Sequence, residues 1–268
     1  AMDSEGSIYL SGLLKPTAAD FYTGIIRKYA LVGADFEMVE SIEKTGGDNT
    51  KVNRFGGMTV YTKDGVDSII VSGIFSSAIS TSGGIYRYDT DLQRLSQYES
   101  TWDPRDILLD MAVIESEDLI YAAGKRIVNI SDTEALVSSY RLSTIMGSGA
   151  IANPLVTSVT RNPMSVVVNS FNSVSAGYED HVIVAGLYQD NGGDGTMVVE
   201  KFDKDLTLVR SRTDYTVGRV NTEGYGVAVD SWGNILAVGL YEEGPEYRPY
   251  RPTAWKFDRN LNGSYTAP

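Results

Sequence analysis

Short stretches in which apolar and polar residues alternate run along the whole chain, and turn residues separate them; this pattern predicts β-strands. The most regular stretch is an apolar strand that ends in a small residue and a glycine, which we call strand b. It occurs five times, at 8–12, 69–73, 120–124, 183–186 and 235–239. The five glycines recur at intervals of 51 to 62 residues, which indicates a repeated structural unit. We interpret the glycine as a packing position that lets neighbouring units approach closely.

Three further strands accompany strand b in the repeat. Strand a precedes strand b, at 57–61, 110–114, 165–169 and 226–230. Strand c follows strand b and closes in acidic turns at 88–92, 202–206 and 257–261. Strand d comes next, at 38–42, 94–100, 137–142 and 208–213. Four short strands per unit are typical of a propeller blade. We therefore predict an all-β protein, a β-propeller of five blades with four antiparallel strands each. It forms one domain over 1–268, with units at about 3–45, 55–101, 108–143, 164–214 and 225–268.

The first unit is shorter than the others. Residues 3–8 match residues 230–235, so the chain enters the first blade at the turn between strands a and b. Propellers normally complete one blade with strands from both termini, which leaves no open edge. Either the segment 261–268 takes the place of the missing strand, or the chain was cut from a longer protein; we favour the second explanation.

One segment resembles a known class of repeats. Residues 229–241, with the core Trp-Gly-Asn-Ile-Leu-Ala-Val-Gly, and the following Trp255-Lys-Phe-Asp258 are similar to the bacterial and archaeal propeller repeats called SBBP or delta-60 repeats. The resemblance extends over the five units, and the third departs most because Gly124 runs directly into strand c. It implies a propeller, often on secreted or surface proteins, and it implies no chemistry.

Composition excludes several kinds of partner and cofactor. The net charge of −12 makes nucleic acid an unfavourable partner, and no apolar stretch is long enough for membrane insertion. The chain has no cysteine and a single histidine, which excludes disulfides and thiolate sites and leaves no histidine cluster for a metal. We expect no cofactor. Ala1-Met2 resembles a cloning scar, so a signal segment could have been removed, and we expect an extracellular or cell-surface location.

The long loops of the repeat fall on one face. In a four-stranded blade the b–c and d–a loops emerge together, and here they are long, including the segment 143–163, which could fold over the central mouth. The a–b and c–d turns on the other face are tight, except for 169–180. Because function usually lies on long loops of a rigid scaffold, we predict the binding surface on the b–c/d–a face near the propeller axis.

Two groups of residues are candidates for that surface. The proline-rich loop 242–252 presents aromatic and guanidinium groups typical of recognition sites, namely Tyr247, Arg248, Tyr250 and Arg251. Acidic residues on suitable loops could instead form the carboxylate pair of a glycosidase around the axis. These are Asp48, Asp103, Asp106, Glu223 and Glu242.

Metal binding has weaker support in the sequence. Asp190 and Asp194 lie in an oxygen-rich, glycine-rich loop, but the spacing is not that of an EF-hand. The acidic turns at Asp89 and Asp203 are explained more simply by carboxylates that cap backbone N–H groups. We therefore predict no metal site.

Three functions are compatible with this pattern. The first is a non-catalytic module that binds protein or glycan on the b–c/d–a face, with the Tyr/Arg loop, Asp103, Glu223 and Glu242 as contacts. The alternative is a carbohydrate-active hydrolase that uses carboxylates near the axis. The third is a structural module within a longer repeat protein.

Overall fold

The chain forms a five-bladed β-propeller. A computed structural model describes residues 1–14, 23–44, 54–76, 81–99, 106–128, 132–151, 153–161, 168–189, 195–213, 219–243 and 250–266. Blades 2 to 5 are antiparallel meanders in which strand a lies nearest the axis and strand d is outermost, and the sheet of blade 1 holds three strands, so the predicted all-β fold is confirmed.

The strands of the blades follow one another in chain order. Blade 1 holds β1 (Ile8–Leu14), β2 (Thr23–Val32) and β3 (Asp35–Lys44); blade 2 holds β4 (Arg54–Lys63), β5 (Val66–Ser76), β6 (Thr81–Tyr88) and β7 (Arg94–Glu99). Blade 3 holds β8 (Asp106–Ile114), β9 (Leu119–Ile127) and β10 (Thr133–Arg141), then α1 (Leu142–Ile145), β11 (Gly149–Ala150) and β12 (Leu155–Arg161). Blade 4 holds β13 (Val168–Ala176), β14 (Val182–Gln189), β15 (Gly195–Phe202) and β16 (Leu208–Thr213); blade 5 holds β17 (Arg219–Val229), β18 (Ile235–Glu243), β19 (Arg251–Phe257) and β20 (Gly263–Thr266). Short 3₁₀ turns lie at Glu115–Glu117 and Tyr178–Asp180.

Blade 3 differs from its predicted strands. The segment 137–142, predicted as strand d, lies mostly in β10, which is strand c, and the outermost strand is β12. The prediction of a long loop at 143–163 is therefore wrong. In its place, α1 and β11 reach over to blade 2, where β11 pairs in parallel with β7 and the Ser96 hydroxyl donates to the Ile145 carbonyl.

Blade 4 also shows a shifted strand. The sequence predicted strand a at 165–169 and a long turn at 169–180, whereas β13 spans Val168–Ala176 and pairs with β14 along its length. The pattern misled because the apolar run at 166–168 precedes the strand, and the strand itself is rich in serine.

The hydrophobic core lies between consecutive blades. Four clusters of buried residues join blade 1 to 2, 2 to 3, 3 to 4 and 4 to 5, and they are centred on the fully buried side chains of Tyr86, Ile120, Phe171 and Ala237 respectively. Among the described residues, no such cluster joins blade 5 to blade 1. The strands b of blades 2, 3 and 4 are therefore packed against a neighbouring sheet on both faces, and these faces exclude water.

The repeated glycine of strand b faces a bulge in strand a of its own blade. A bulge interrupts β8, β13 and β17 directly beside Gly124, Gly186 and Gly239. A Cβ on these three glycines would lie 1.8 to 1.9 Å from a carbonyl oxygen of strand a. The predicted reason for the glycine, contact between neighbouring blades, is thus corrected: the glycine admits the bulged strand of the same blade.

The acidic turns confirm the capping interpretation. The Asp89 Oδ1 accepts the backbone N–H groups of Asp91 and Gln93 at 3.0 and 2.7 Å, and Asp203 does the same for Asp205 and Thr207. Asp3 and Asp230 cap the a–b turns of blades 1 and 5 in the same way. This equivalence places residues 3–8 at the a–b turn of blade 1.

Candidate functional site

The innermost strands of blades 2 to 5 all begin on one face of the propeller, the face of the b–c and d–a loops. Their first residues are Arg54, Asp106, Val168 and Arg219. Arg54 and Asp106 are the charged residues with which β4 and β8 begin, at the end of the strands that surrounds the propeller axis on this face. We refer to this region as the axial mouth.

Glu223 of β17 lies at the centre of one hydrogen-bonded group in the axial mouth. Its Oε1 accepts the Asn172 side-chain amide at 3.2 Å, and its Oε2 accepts the Tyr225 hydroxyl at 2.7 Å. Burial, together with this hydrogen bond, raises the pKa of the Tyr225 phenol to about 12, so the phenol stays a donor to Glu223. Each carboxylate oxygen of Glu223 has a further lone pair that can accept another hydrogen bond, and the side chain is only partly buried.

Both residues that donate hydrogen bonds to Glu223 lie at β-bulges. Asn172 is the extra residue of the bulge in β13, and Tyr225 is the extra residue of the bulge in β17. A bulge turns one side chain out of the regular alternation of a strand. The same device that requires a glycine in strand b thus directs polar groups toward the axis.

Asp110 of β8 lies at the centre of a second group, deeper along the strands. Its Oδ2 accepts the Ser173 hydroxyl at 2.7 Å and the Val174 N–H at 3.0 Å, and its Oδ1 accepts the Met111 N–H at 2.9 Å. Burial raises the pKa of the Asp110 carboxyl, although these three hydrogen bonds oppose the shift. Gly57 of blade 2 leaves room for this carboxylate, because a Cβ there would lie 2.2 Å from Oδ1.

Strand β13 joins the two carboxylates. Asn172 contacts Glu223 on the side of blade 5, and the next residue, Ser173, contacts Asp110 on the side of blade 3. The Ser173 oxygen in turn accepts the Val227 N–H of β17 at 3.2 Å. Two adjacent residues of one strand therefore fix an acidic group of each neighbouring blade relative to the other.

The pKa of Lys125 is lowered by its surroundings. Burial lowers the pKa of its ammonium, Arg54 lowers it further, and Glu223 opposes both effects. Lys125, Arg54 and Glu223 belong to blades 3, 2 and 5. Asp106 is neutralised within its own blade, because Arg126 binds it through two hydrogen bonds of 2.7 and 3.0 Å.

The structure brings together several of the predicted site residues. Glu242 accepts the Asn221 amide at 2.8 Å, on the strand that carries Glu223. Tyr250 is exposed and close enough to Tyr225 for its charge to raise the pKa of that phenol. Arg251 is exposed at the start of β19, on the same blade.

The other candidates cannot be placed. Asp48, Asp103, Asp190, Asp194, Tyr247 and Arg248 lie outside the described residues. In the part of the chain that the structure describes, no group of three acidic or histidine side chains is arranged to hold a metal ion.

Asp110 was missed by the sequence analysis, although a signal for it exists. The residue after the bulge is Ser173 in blade 4 and Gly226 in blade 5, and the corresponding segment of blade 2 carries Gly57. When the innermost strands of blades 2 to 5 are aligned, the other three blades carry a small residue at this position, so the aspartate of blade 3 is conspicuous. The sequence search considered only carboxylates on loops and passed over one on a strand.

Comparison with known proteins gives the fold. No family profile and no curated protein sequence matches the chain. Its structure is similar to an α-L-arabinanase of Penicillium chrysogenum complexed with arabinobiose, at 12% identity and a TM-score of 0.53. It is also similar to an α-L-arabinofuranosidase of Fusarium graminearum in complex with an iminosugar inhibitor, at 12% identity and a TM-score of 0.52. Both alignments cover 79% of this chain and 66% of the other protein. A Hadza microbial sialidase aligns over 93% of this chain and 54% of its own length, at 10% identity and a TM-score of 0.51. The chain thus spans about half to two thirds of the length of these proteins, and at such identities the likeness concerns the fold.

These neighbours correct the first functional hypothesis. We predicted a non-catalytic binding module, whereas the structural neighbours named above are enzymes that act on sugars. They support the alternative, a carbohydrate-active hydrolase, better than the non-catalytic interpretation.

Within the described residues, no helix is long and apolar enough to cross a membrane.

Proposed function

We propose that this protein is a glycoside hydrolase whose reaction takes place at the axial mouth, with Asp110 and Glu223 as the pair of carboxylates. The observation that carries the proposal is the link through β13, in which Asn172 and Ser173 hold one carboxylate from each neighbouring blade. Glycosidases usually require two carboxyl groups in fixed relative positions beside the scissile bond. The sugar-cleaving enzymes with the same fold add support.

The environments of the two carboxyls suit different roles. Asp110 is largely buried, and the resulting rise in its pKa favours the protonated form, as a general acid requires. Glu223 accepts two hydrogen bonds from neutral donors. In this proposal its side chain acts as the base or nucleophile. The acid would give its proton to the leaving oxygen, and the carboxylate would activate water or attack the anomeric carbon.

The neighbouring groups would position a sugar. Tyr225 offers aromatic surface beside Glu223, and Tyr250 is an exposed tyrosine on the same blade. Aromatic rings with polar edges suit the mixed surface of a pyranose or furanose. Asn221 and Glu242 supply further hydrogen-bonding groups on the same blade. The proposed partner on the b–c/d–a face is thus a glycan that serves as the substrate.

Hydrolysis of model glycosides tests this function. The purified protein should release 4-nitrophenol from at least one of a panel of 4-nitrophenyl glycosides that includes α-L-arabinofuranosides, β-xylosides and sialosides. A double variant, Asp110→Asn with Glu223→Gln, prepared in the same way, should release none, which excludes a contaminating enzyme. Absence of hydrolysis across the panel and across arabino-, xylo- and sialo-oligosaccharides would contradict the proposal.

Two finer assignments belong to the same proposal. We infer that the repeats are of the SBBP or delta-60 type, on the strength of residues 229–241 and 255–258. A location outside the cell or on its surface follows from that resemblance and suits an enzyme for polymeric glycans. Localisation of the tagged full-length protein by cell fractionation tests it, and recovery only inside the cell would contradict it.

A further inference from the structure

Lys125 lies at the end of blade 3 that borders the axial mouth. In the ladder between β8 and β9 it pairs with the second residue of β8, and only the pair of Arg126 with Asp106 lies beyond it. Side chains of a strand alternate between its two faces. Tyr121 and Ala123 belong to the core between blades 3 and 4. Lys125, two residues further along, therefore lies on the face that is turned toward blade 4.

This face adjoins the strand that holds the proposed catalytic carboxylates. Strand β9 packs against β13, the innermost strand of blade 4. Asn172 and Ser173 of β13 donate to the carboxylates of Glu223 and Asp110. Lys125 thus stands on the mouth side of the same blade interface, one strand further from the axis.

The Lys125 ammonium has no acceptor among the residues that the structure describes, although its side chain is partly buried. Comparable cationic groups are bonded: Lys201 donates to the carbonyl of Arg259, and Lys204 donates to Glu117. Removing an ammonium from water without giving it a partner costs free energy. Burial accordingly lowers the pKa of Lys125. The fold thus keeps an uncompensated positive charge near the mouth.

The charges around Lys125 favour an anionic ligand. Arg54, the exposed first residue of β4, adds a second positive charge that lowers the pKa of Lys125 further. Asp106 is already bound by Arg126 through two hydrogen bonds, so it is not available to Lys125. An anion bound here would provide the missing acceptor and reduce the repulsion between the two cations.

We propose that Lys125 binds the anionic group of an acidic sugar, so that the substrate of the axial mouth is a glycoside with a carboxylate or a sulfate ester. The sugar rests on the proposed function, whereas its charge rests on Lys125. A lysine ammonium has three donors and binds an anion as a compact point charge, which suits either group. Lys125 is then the residue that distinguishes acidic from neutral glycosides.

Binding of free monosaccharides tests this proposal without any hydrolysis. Galacturonate, N-acetylneuraminate and galactose 6-sulfate are the acidic probes, galactose is the neutral probe, and none has a glycosidic bond to cleave. In NMR titrations, the wild-type protein should bind at least one acidic probe at least about tenfold more tightly than galactose. The probe that binds more tightly distinguishes a carboxylate from a sulfate.

Three variants isolate the charge of Lys125. Lys125→Met keeps an unbranched side chain and removes the charge, so it should lose the preference for the acidic probe, while Lys125→Arg should retain part of it. Lys63→Met is the matched control, because Lys63 is the exposed last residue of β4, at the opposite face. It should bind like the wild type. Equal affinities of the wild type for acidic and neutral probes would overturn the proposal.

Thermal stability separates a lysine that binds ligand from one that supports the fold. Without ligand, Lys125→Met should melt at the same temperature as the wild type or higher, because no acceptor loses its partner. A lower thermal midpoint would refute the uncompensated charge. Failure of the hydrolase proposal gives a different result: acidic probes bind through Lys125, but no glycoside is cleaved. Hydrolysis of neutral glycosides with equal kcat/KM in wild type and Lys125→Met, and no binding of acidic probes, would refute this inference alone.

Discussion

Burial and hydrogen bonding act in opposite directions on Asp110. Three donors within 3.0 Å favour its carboxylate, but burial between the innermost strands favours the neutral acid and dominates. Glu223 instead accepts hydrogen bonds from the Asn172 amide and the Tyr225 hydroxyl. The two carboxyl groups therefore differ in their surroundings, as the two steps of the proposed reaction require.

Replacing Asp110 by asparagine should reveal its role as an acid through the leaving group. For a methyl or oligosaccharide leaving group, which needs protonation, we expect Asp110→Asn to lower kcat by about 10²–10⁴-fold. For 4-nitrophenolate, a good leaving group, the loss should be much smaller. Steady-state kinetics with the two substrate classes measure this difference, and equal losses on both would contradict the acid role.

Replacing Gly186 by alanine should destabilise the fold at the bulge of β13. Its Cβ would lie 1.9 Å from the Ser170 carbonyl, so the strands must separate. We expect a loss of about 1–3 kcal/mol in the free energy of unfolding, measured by denaturant titration. Gly12→Ala is the matched control, because no atom lies within 4 Å of that position. Equal stability of the two variants would show that the bulge does not explain the glycine.

At the residue scale, the sequence predicted several charged candidates on loops, and the structure places Asp106, Glu223 and Glu242 within strands β8, β17 and β18. Glu223 was found because its stretch of sequence is rich in polar residues. Asp110 was missed because a single acidic residue at the start of an apolar strand has no local signature. Its importance depends on contacts with Gly57 and Ser173, which are more than 50 residues away along the chain.

Among the elements, turns were more predictable than outer strands. The acidic turns carry their explanation locally, because one carboxylate caps N–H groups two and four residues later. The buried leucine that follows, in the left-handed region at Leu92, Leu206 and Leu261, completes the same turn. Strand d of blade 3 was misplaced since β10 is a long buried strand and its partner β12 follows only after α1 and β11.

The cap of the c–d turn in blade 5 should make stability depend on pH. Hydrogen bonds from the backbone and side chain of Asn262, and from the Asn260 N–H, lower the pKa of Asp258. A carboxyl whose folded pKa is lowered stabilises the fold above its unfolded pKa of about 3.9. That contribution is lost as the pH falls through the lower, folded pKa.

We therefore expect Asp258→Ala to lower the thermal midpoint at pH 7, and the difference from the wild type to shrink progressively below about pH 4. Scanning calorimetry over this pH range measures it. Asp91→Ala is the control, because the acceptor in its turn is Asp89. A difference that stays constant down to pH 2 would show that the cap acts independently of its charge.

For the whole molecule, periodicity was sufficient to predict five blades because every blade repeats the same strand b and glycine. The relation between blades was not predictable in the same way. The cluster that links Asp110, Ser173, Asn172 and Glu223 unites three blades, and its residues have no common spacing along the chain.

The central claim is that the axial mouth catalyses glycoside hydrolysis, and the kcat of Glu223→Gln tests it most directly. The substitution keeps the size of the side chain and removes the charge that serves as base or nucleophile. Glu117→Gln is the matched control, since Glu117 pairs with Lys204 on the opposite face. We predict that Glu223→Gln lowers kcat at least about 100-fold while Glu117→Gln and the wild type remain equal. A Glu223→Gln enzyme with unchanged kcat would contradict the account.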